Sequence, residues 1–131
     1  MRKTINSSLT LLLLSILTYT CTSEQENLLL GKWQATQLIE EGDSVKMDLA
    51  EVGFLFDEQG RYQFQSTLNY REAGFYTKNN NLLYTTDTLT ENRNRQAVKI
   101  LKLKEGLLEL GMVDRGKERV LSLKKETASE E

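Results

Sequence analysis

The amino-acid sequence predicts an all-β protein whose eight antiparallel strands close into an up-and-down barrel. Apolar and polar residues alternate with a period of two in most segments after Leu28, as expected for strands with one buried face. Turn-forming Gly, Asn and Asp residues separate these segments, and the 131 residues include no proline. Eight strands in consecutive hairpins can close a sheet whose interior is either filled by side chains or holds one small ligand. A two-sheet sandwich is the alternative, and the scarcity of long crossovers favours the barrel.

The first strand opens at Gly31 and is centred on Trp33, the only tryptophan of the chain. Just before it, Asn27 followed by three leucines suits a short capped helical turn that plugs one end of the barrel. Strict alternation divides the strand into two faces. One face carries Trp33, Ala35, Gln37 and Ile39, and the other carries Lys32, Gln34, Thr36, Leu38 and Glu40.

Seven further strands follow in short hairpins. The clearest hairpin joins Val52–Phe56 to Tyr62–Phe64 through a loop that ends in Gly60. The segment 45–50 fits either a loop or a partial strand. The remaining strands are expected at about 70–78, 82–88, 97–103, 107–113 and 118–123.

Two strands are expected to be irregular. Gly74 in the middle of the fourth strand predicts a bend or bulge, as barrels need at corners. Ile100 and Leu101 are both apolar, which breaks the alternation and predicts a β-bulge in the sixth strand.

The first twenty residues are expected to lie outside the barrel. A basic head, Met1-Arg2-Lys3, precedes an apolar run from Leu9 to Tyr19, which is too short to span a bilayer, and Cys21 follows directly. This arrangement resembles a bacterial lipoprotein signal peptide, here residues 1–20, which implies that acyl chains such as palmitate on Cys21 hold the mature protein in a membrane. An ordinary secretory signal, or a cysteine without a role, is the alternative. Residues 21–27 would form a tether, residues 28–125 the barrel and residues 126–131 a flexible charged tail.

Composition argues against several classes of function. Without Arg2 and Lys3 the mature chain has 15 basic and 19 acidic residues, a charge of about −4, and no basic cluster that would bind nucleic acid. The chain has no histidine and one cysteine. The usual metal, haem and nucleophile–histidine sites are therefore not expected, and the sequence predicts neither a cofactor nor an enzyme.

Aromatic residues are concentrated in the first half of the barrel. All nine that follow the signal peptide lie between Trp33 and Tyr84, whereas the last three strands are aliphatic. One interpretation is a pocket with an aromatic wall, suited to a small apolar or amphipathic ligand. The other is that the same residues simply fill the core. The candidate pocket-lining residues are Phe54, Phe56, Tyr62, Phe64, Tyr70, Tyr76 and Tyr84.

The tripeptide Gly31-Lys32-Trp33, after a helical turn and before an eight-strand meander, resembles the Gly-x-Trp signature of the lipocalin and lipocalin-like families. The segments Phe54-Leu55-Phe56-Asp57 and Gly60-Arg61-Tyr62 resemble the small lipocalin-like domains of exported lipoproteins from Gram-negative bacteria. The resemblance covers about residues 28–125. It implies that Gly31, Trp33 and a basic residue near the last strand close the barrel, and Arg119 is the candidate for that cation. The C-terminal helix and disulfide of the classical family are missing.

Together, these expectations predict a lipid-anchored protein of the cell envelope. Thr22 after the cysteine is typical of retention in the outer membrane, and Glu24 with Glu26 loosely resembles a surface-export signal. The protein would bind a small hydrophobic ligand or another envelope protein. The alternative is a structural or interaction module with a filled core, acting through loops such as 89–95. Ser44 and Thr88 lie in three-residue motifs that resemble bacterial O-glycosylation signals.

Overall fold

The computed structural model describes residues 28–91 and 93–127 and forms a single antiparallel sheet from them. Every strand expected from the sequence is present, and segment 45–50 is a loop. Within the described residues, no helix is long and apolar enough to cross a membrane. The strands are β1 (Gly31–Glu40), β2 (Asp43–Ser44), β3 (Gly53–Phe56), β4 (Arg61–Gln65), β5 (Arg71–Asn79), β6 (Leu82–Asp87), β7 (Arg95–Lys104), β8 (Leu107–Asp114) and β9 (Lys117–Lys125).

The sheet closes on itself as a barrel of eight strands. β3 pairs with β1 and β4, and each of β4 to β8 pairs with the strands before and after it. β9 pairs with β8 and returns to pair with β1 from Trp33↔Lys125 to Glu40↔Arg119. The short β2 pairs only with the end of β1. Because one continuous sheet includes both β1 and β9, the predicted barrel is confirmed and the two-sheet sandwich is wrong.

The two ends of the barrel differ. At one end, which we call the plugged end, the connections are tight turns and Leu28 and Leu29 are in helical conformation. At the other end, which we call the loop end, the connections include the longer segments 45–52, 66–70 and 88–94. The chain therefore enters the barrel at the plugged end.

Trp33 is the centre of the core at the plugged end. Its side chain is fully buried, and its indole Nε1 donates a 2.8 Å hydrogen bond to the carbonyl oxygen of Leu29, which is buried too. This bond satisfies the one polar atom of the ring. The apolar core consists of Leu29, Trp33, Ala35, Val52, Phe56, Tyr62, Leu83, Ile100, Leu108, Leu110, Leu121 and Leu123.

Two β-bulges set which residues face the core. In β1 the pairing with β9 shifts between Ala35 and Gln37, so that Leu38 packs on the core while Gln37 is exposed. The strict alternation expected for this strand is therefore wrong beyond Ala35, because the extra residue turns the following side chains over. The bulge predicted in the sixth barrel strand is confirmed, and it leaves Leu101 exposed.

Gly74 is needed for close packing of strands rather than for a bulge. The pairing of β5 with β4 continues through Gly74 without a register shift, and the pairing with β6 begins at Gly74↔Asp87. Of the predicted bend or bulge, the bulge is therefore wrong. A Cβ atom at this position would lie 1.9 Å from the carbonyl oxygen of Thr86. Glycine is required here because the neighbouring backbone occupies the space of a side chain.

Candidate functional site

The structure separates the seven aromatic candidates into three environments. Phe56 and Tyr62 are buried in the core, and Phe54, Phe64 and Tyr76 pack against it while remaining partly accessible. These five side chains point inwards, as predicted. Tyr70 precedes β5 at the loop end and is half exposed.

Tyr84 does not line the interior. Its neighbours Leu83 and Thr85 are buried, so alternation along β6 places Tyr84 on the outer face. There the guanidinium of Arg95 lies 4.2 Å from the centre of its ring. The prediction that Tyr84 lines a pocket is therefore wrong, because the choice of face could not be made without the register of β6.

An aromatic row crosses the inner face of β1, β3 and β4 and ends at a carboxylate. Trp33 lies opposite Phe54, Phe54 opposite Phe64, and Phe64 opposite Glu72 of β5. The ring centres of Phe54 and Phe64 are 4.5 Å apart, and those of Phe64 and Tyr70 are 6.2 Å apart with the planes at 68°. Both separations are typical of attractive aromatic pairs.

A cleft of about 680 Å³ lies against β1, β3, β4 and β5. Phe54, Phe64 and Glu72 of the inward row line it, together with Leu89 of the loop end. Its other lining residues lie mostly on the outer face and include Gln34, Gln63 and Gln65 together with the charged Lys32, Arg71 and Glu126. The cleft therefore offers both aromatic and polar surface, and its size falls within the range of small-molecule sites.

Glu72 is the charged residue at the end of the aromatic row. One of its carboxylate oxygens accepts a hydrogen bond from the Tyr62 hydroxyl at 3.2 Å, and the other accepts one from the Tyr70 hydroxyl at 2.6 Å. The hydrogen bond to Glu72 raises the pKa of Tyr70 to about 12. Burial, and then the negative charge of Glu72, raise the pKa of Tyr62 above its ordinary value. Both phenols therefore stay neutral donors at physiological pH.

Alternation along the strand expected at 70–78 places Glu72 on the same face as Tyr70 and Tyr76, but Glu72 is not among the site residues predicted from the sequence. The signal was present in the sequence, since a carboxylate on the inward face of a barrel strand is unusual. What the sequence could not supply was the position of Tyr62 on the neighbouring strand, which depends on the register of β4 against β5.

A second cleft, of about 510 Å³, lies at the plugged end. It is lined by Leu29 and Leu30, by the turn residues Glu58 and Gly60, and by Tyr76 and its two successors in β5. The hydroxyl of Tyr76 donates a 2.9 Å hydrogen bond to the carbonyl oxygen of Asp57. The ring of Tyr76 lies 5.0 Å from that of Phe56, but Tyr76 lines this second cleft and not the first, so the seven residues do not line one pocket.

The cation that packs on Trp33 is Lys125, and the assignment of this role to Arg119 is wrong. The ammonium of Lys125 lies 5.2 Å from the centre of the Trp33 ring, and the aliphatic part of the side chain passes over Gly31. Gly31 has φ +122°, which favours glycine, and a Cβ atom there would lie 3.2 Å from the Lys125 Cε. Gly31, Trp33 and Lys125 thus close this end of the barrel together.

Arg119 lies at the opposite end of β9. It pairs with Glu40 at the end of β1, six residues along β9 from Lys125, which is roughly 20 Å in a strand. Its Nε lies 2.7 Å from a Glu40 oxygen, and its guanidinium also contacts Asp114 at 3.0 Å. Hydrogen bonding from Lys117, and then the charge of Arg119, hold the pKa of Glu40 below its usual value.

Several predicted residues fall where the structure makes no statement about them. Cys21, the signal peptide 1–20 and the tether 21–27 lie outside the described residues, as do the last four residues of the predicted tail. The two candidate glycosylation residues, Ser44 and Thr88, are both exposed. The Thr88 hydroxyl donates a 3.1 Å hydrogen bond to the carbonyl oxygen of Ala73.

Comparison of the chain with protein-family models gives no match, and comparison with curated proteins gives none either. The class of protein that the structure itself defines is a closed, eight-stranded antiparallel barrel with one plugged end. Function must therefore be argued from the clefts and the side chains around them.

Proposed function

We propose that the protein is a lipid-anchored, lipocalin-like protein of the Gram-negative cell envelope that binds a small hydrophobic or amphipathic molecule. The observation that carries the proposal is the 680 Å³ cleft, where Phe54 and Phe64 remain accessible beside Glu72. Most aromatic side chains of a small barrel are expected to be covered by the core. Phe54 and Phe64 line a cleft instead, and their adjacent rings supply apolar surface for a ligand.

The ligand would occupy this cleft rather than the centre of the barrel. The centre is taken up by the fully buried side chains of Trp33, Phe56, Tyr62, Leu83 and Leu108. A molecule with one apolar part and one polar part matches the cleft best, because its lining joins aromatic residues to glutamines and to charged residues of both signs.

Binding of a neutral, environment-sensitive dye tests this proposal. We expect N-phenylnaphthylamine to bind saturably and to accept excitation energy from Trp33, which borders the cleft. Among the described residues every strand lies between Gly31 and Lys125, so a chain beginning at Thr22 keeps the whole barrel and lacks the cysteine of the proposed anchor. Phe64→Ala should weaken binding about tenfold or more, since burying an aromatic side chain contributes about 1.5–3 kcal/mol.

Phe75→Ala is the matched control for this experiment. Phe75 also lies in the β4–β5 region but points outwards and is 54% exposed, so its loss should leave dye affinity unchanged. Circular dichroism and thermal unfolding of both variants show whether the barrel is intact. Equal effects of the two substitutions, or no dye binding by the parent chain, would contradict ligand binding in the cleft.

The lipid anchor is tested in intact cells. We expect Cys21→Ala to move the protein from the membrane fraction to the soluble fraction, because the thiol that carries the acyl chains is gone. Two or more chains anchor a protein stably, whereas a single chain holds it only marginally. Incorporation of labelled palmitate by the parent and not by the variant gives a second readout. Equal membrane retention of both forms would contradict the anchor.

A structural or protein-interaction module is the second candidate function. It is favoured by large apolar side chains that are exposed at the loop end, where Leu68 is 96%, Leu89 62% and Val113 70% exposed. Such a surface would bind another envelope protein. The dye experiment separates the candidates, since an interaction module requires neither saturable binding nor an effect of Phe64→Ala.

A further inference from the structure

The inward carboxylate of Glu72 indicates the charge of the ligand. Glu72 follows the aromatic row of Phe54 and Phe64 at the loop end of β5, and each of its two oxygens is held by a tyrosine hydroxyl. These two hydrogen bonds orient the carboxylate without neutralising it, because both donors are uncharged phenols. Each carboxylate oxygen still has capacity for a further donor.

No cation of the described residues pairs with Glu72. On the opposite wall of the loop end, Arg119 and Lys117 are paired with Glu40 and Asp114. Lys32 also lines the cleft, where it pairs with Glu126, whereas Lys125 lies over Trp33 and Arg95 over Tyr84. Arg71 lines the same cleft as Glu72, but it alternates to the outer face and is exposed.

A second inward carboxylate adds to the negative potential. Asp87 of β6 lies opposite Gly74, one inward position along from Glu72. Its oxygens accept hydrogen bonds from the backbone N–H groups of Ala73 and Leu89 and from the Thr90 hydroxyl, so this side chain mainly orders the 88–94 loop. All of these donors are neutral, and its charge remains.

Aromatic faces beside a carboxylate are suited to an organic cation. The rings of Phe54, Phe64 and Tyr70 follow one another at 4.5 Å and 6.2 Å and border Glu72. A positive charge near the face of an aromatic ring is stabilised by about 0.5–2 kcal/mol, and a carboxylate adds a charge-assisted hydrogen bond or ion pair. An anionic head group at this position would meet Glu72 and Asp87 instead.

We propose that the inward face of the cleft, at the loop end, selects amphipathic cations, with an ammonium group at Glu72 and an apolar chain against Phe54 and Phe64. This inference rests on the proposed ligand-binding function and adds the charge of the ligand. Within the described residues, the inner face at the loop end supplies no unpaired positive charge for an anionic head group. The apolar part has the aromatic row as its contact surface.

The experiment compares three probes with the same alkyl chain and different head groups. Dodecyltrimethylammonium, dodecyl sulfate and dodecyl maltoside are titrated below their micelle concentrations, and displacement of N-phenylnaphthylamine is measured. We expect the cation to bind at least about tenfold more tightly than the sulfate, and this preference to fall as salt is raised. Similar affinities for the cation and the sulfate would overturn the charge assignment.

Glu72→Gln and Glu105→Gln are the paired variants for this experiment. Glu72→Gln removes the charge, keeps the shape of the side chain and leaves an oxygen that can still accept a hydrogen bond. We expect it to abolish the preference for the cation while the neutral maltoside binds as before. Glu105→Gln removes the same charge from a turn at the plugged end and should change nothing.

The outcomes separate this inference from the proposed function. Binding of all three probes without charge preference, or a preference that survives Glu72→Gln, would overturn the cation inference and leave ligand binding in place. No binding of any probe or of the dye to the parent chain would overturn both. Thermal unfolding of Glu72→Gln shows whether loss of the tyrosine contacts has disturbed the barrel.

Discussion

Trp33→Ala is expected to lower the free energy of unfolding by about 3–5 kcal/mol. The indole is fully buried at the plugged end, its N–H is bonded to the Leu29 carbonyl, and Phe54 lies opposite it on β3. Alanine would leave a cavity and an acceptor without its donor. The loss is a large share of the roughly 5–15 kcal/mol that a domain of this size has. Urea unfolding followed by circular dichroism measures it.

A double-mutant cycle tests whether Lys125 is the cation that packs on Trp33. Lys125→Ala should cost about 1 kcal/mol, since a cation near an aromatic face contributes modestly at a partly exposed site. Its effect and that of Trp33→Ala should be non-additive, because removal of the ring removes the surface that the lysine side chain covers. The matched control is Arg119→Ala, whose effect should add to that of Trp33→Ala because the two residues lie at opposite ends of β9. Coupling of Trp33 to Arg119 instead of Lys125 would contradict the closure described here.

Gly74→Ala should have the second largest effect on stability, a loss of about 3 kcal/mol or more. The added methyl group would lie 1.9 Å from the Thr86 carbonyl oxygen and 3.1 Å from the Thr88 backbone nitrogen. Both contacts are with backbone atoms, in β6 and just after it, so β5 and β6 would have to move apart. Overpacking typically lowers stability by about 1–3 kcal/mol. Because backbone atoms cannot rotate away as a side chain can, we expect the loss at Gly74 to reach or exceed the upper end of that range.

Gly111→Ala provides the comparison for Gly74. Gly111 is also inside a strand, but the three atoms nearest to its added Cβ all belong to the side chain of Leu101, at 3.0 to 3.3 Å. Leu101 is the exposed residue of the β7 bulge and can rotate away, so the loss should be below about 1 kcal/mol. Equal stability of the two variants in urea unfolding would show that the close approach at Gly74 is not maintained in solution.

The strands were predictable because their signals are local. Period-two alternation and turn residues define each hairpin, and the adjacent apolar pair Ile100-Leu101 was enough to predict the bulge in β7. The bulge at Thr36 has no such signal, since Ala35, Gln37 and Leu38 fit either face. It depends on how β9 lies against β1, and that pairing joins residues 79 to 92 positions apart.

The candidate site was predictable only in part, because some of its features depend on the pairing of distant strands. The inward aromatics of β3 and β4 follow from alternation inside one hairpin, and Phe54 and Phe64 were identified that way. Tyr84 was assigned to the wrong face because a segment reading Leu-Leu-Tyr-Thr-Thr has no clear alternation. Lys125 was missed in favour of Arg119 because the cation above Trp33 is chosen by the register of β9, which the sequence does not encode locally.

The central claim is that the cleft beside Phe54, Phe64 and Glu72 is a ligand site. NMR spectra of the backbone amides during titration with dodecyltrimethylammonium test it most directly. Binding in the cleft predicts saturable shifts for Gly53, Phe54, Phe64 and Glu72, with Tyr84 and Leu101 on the outer face unchanged. Shifts confined to Leu68 and Val113, which are exposed at the loop end and do not line the cleft, or no saturable shifts at all, would contradict it.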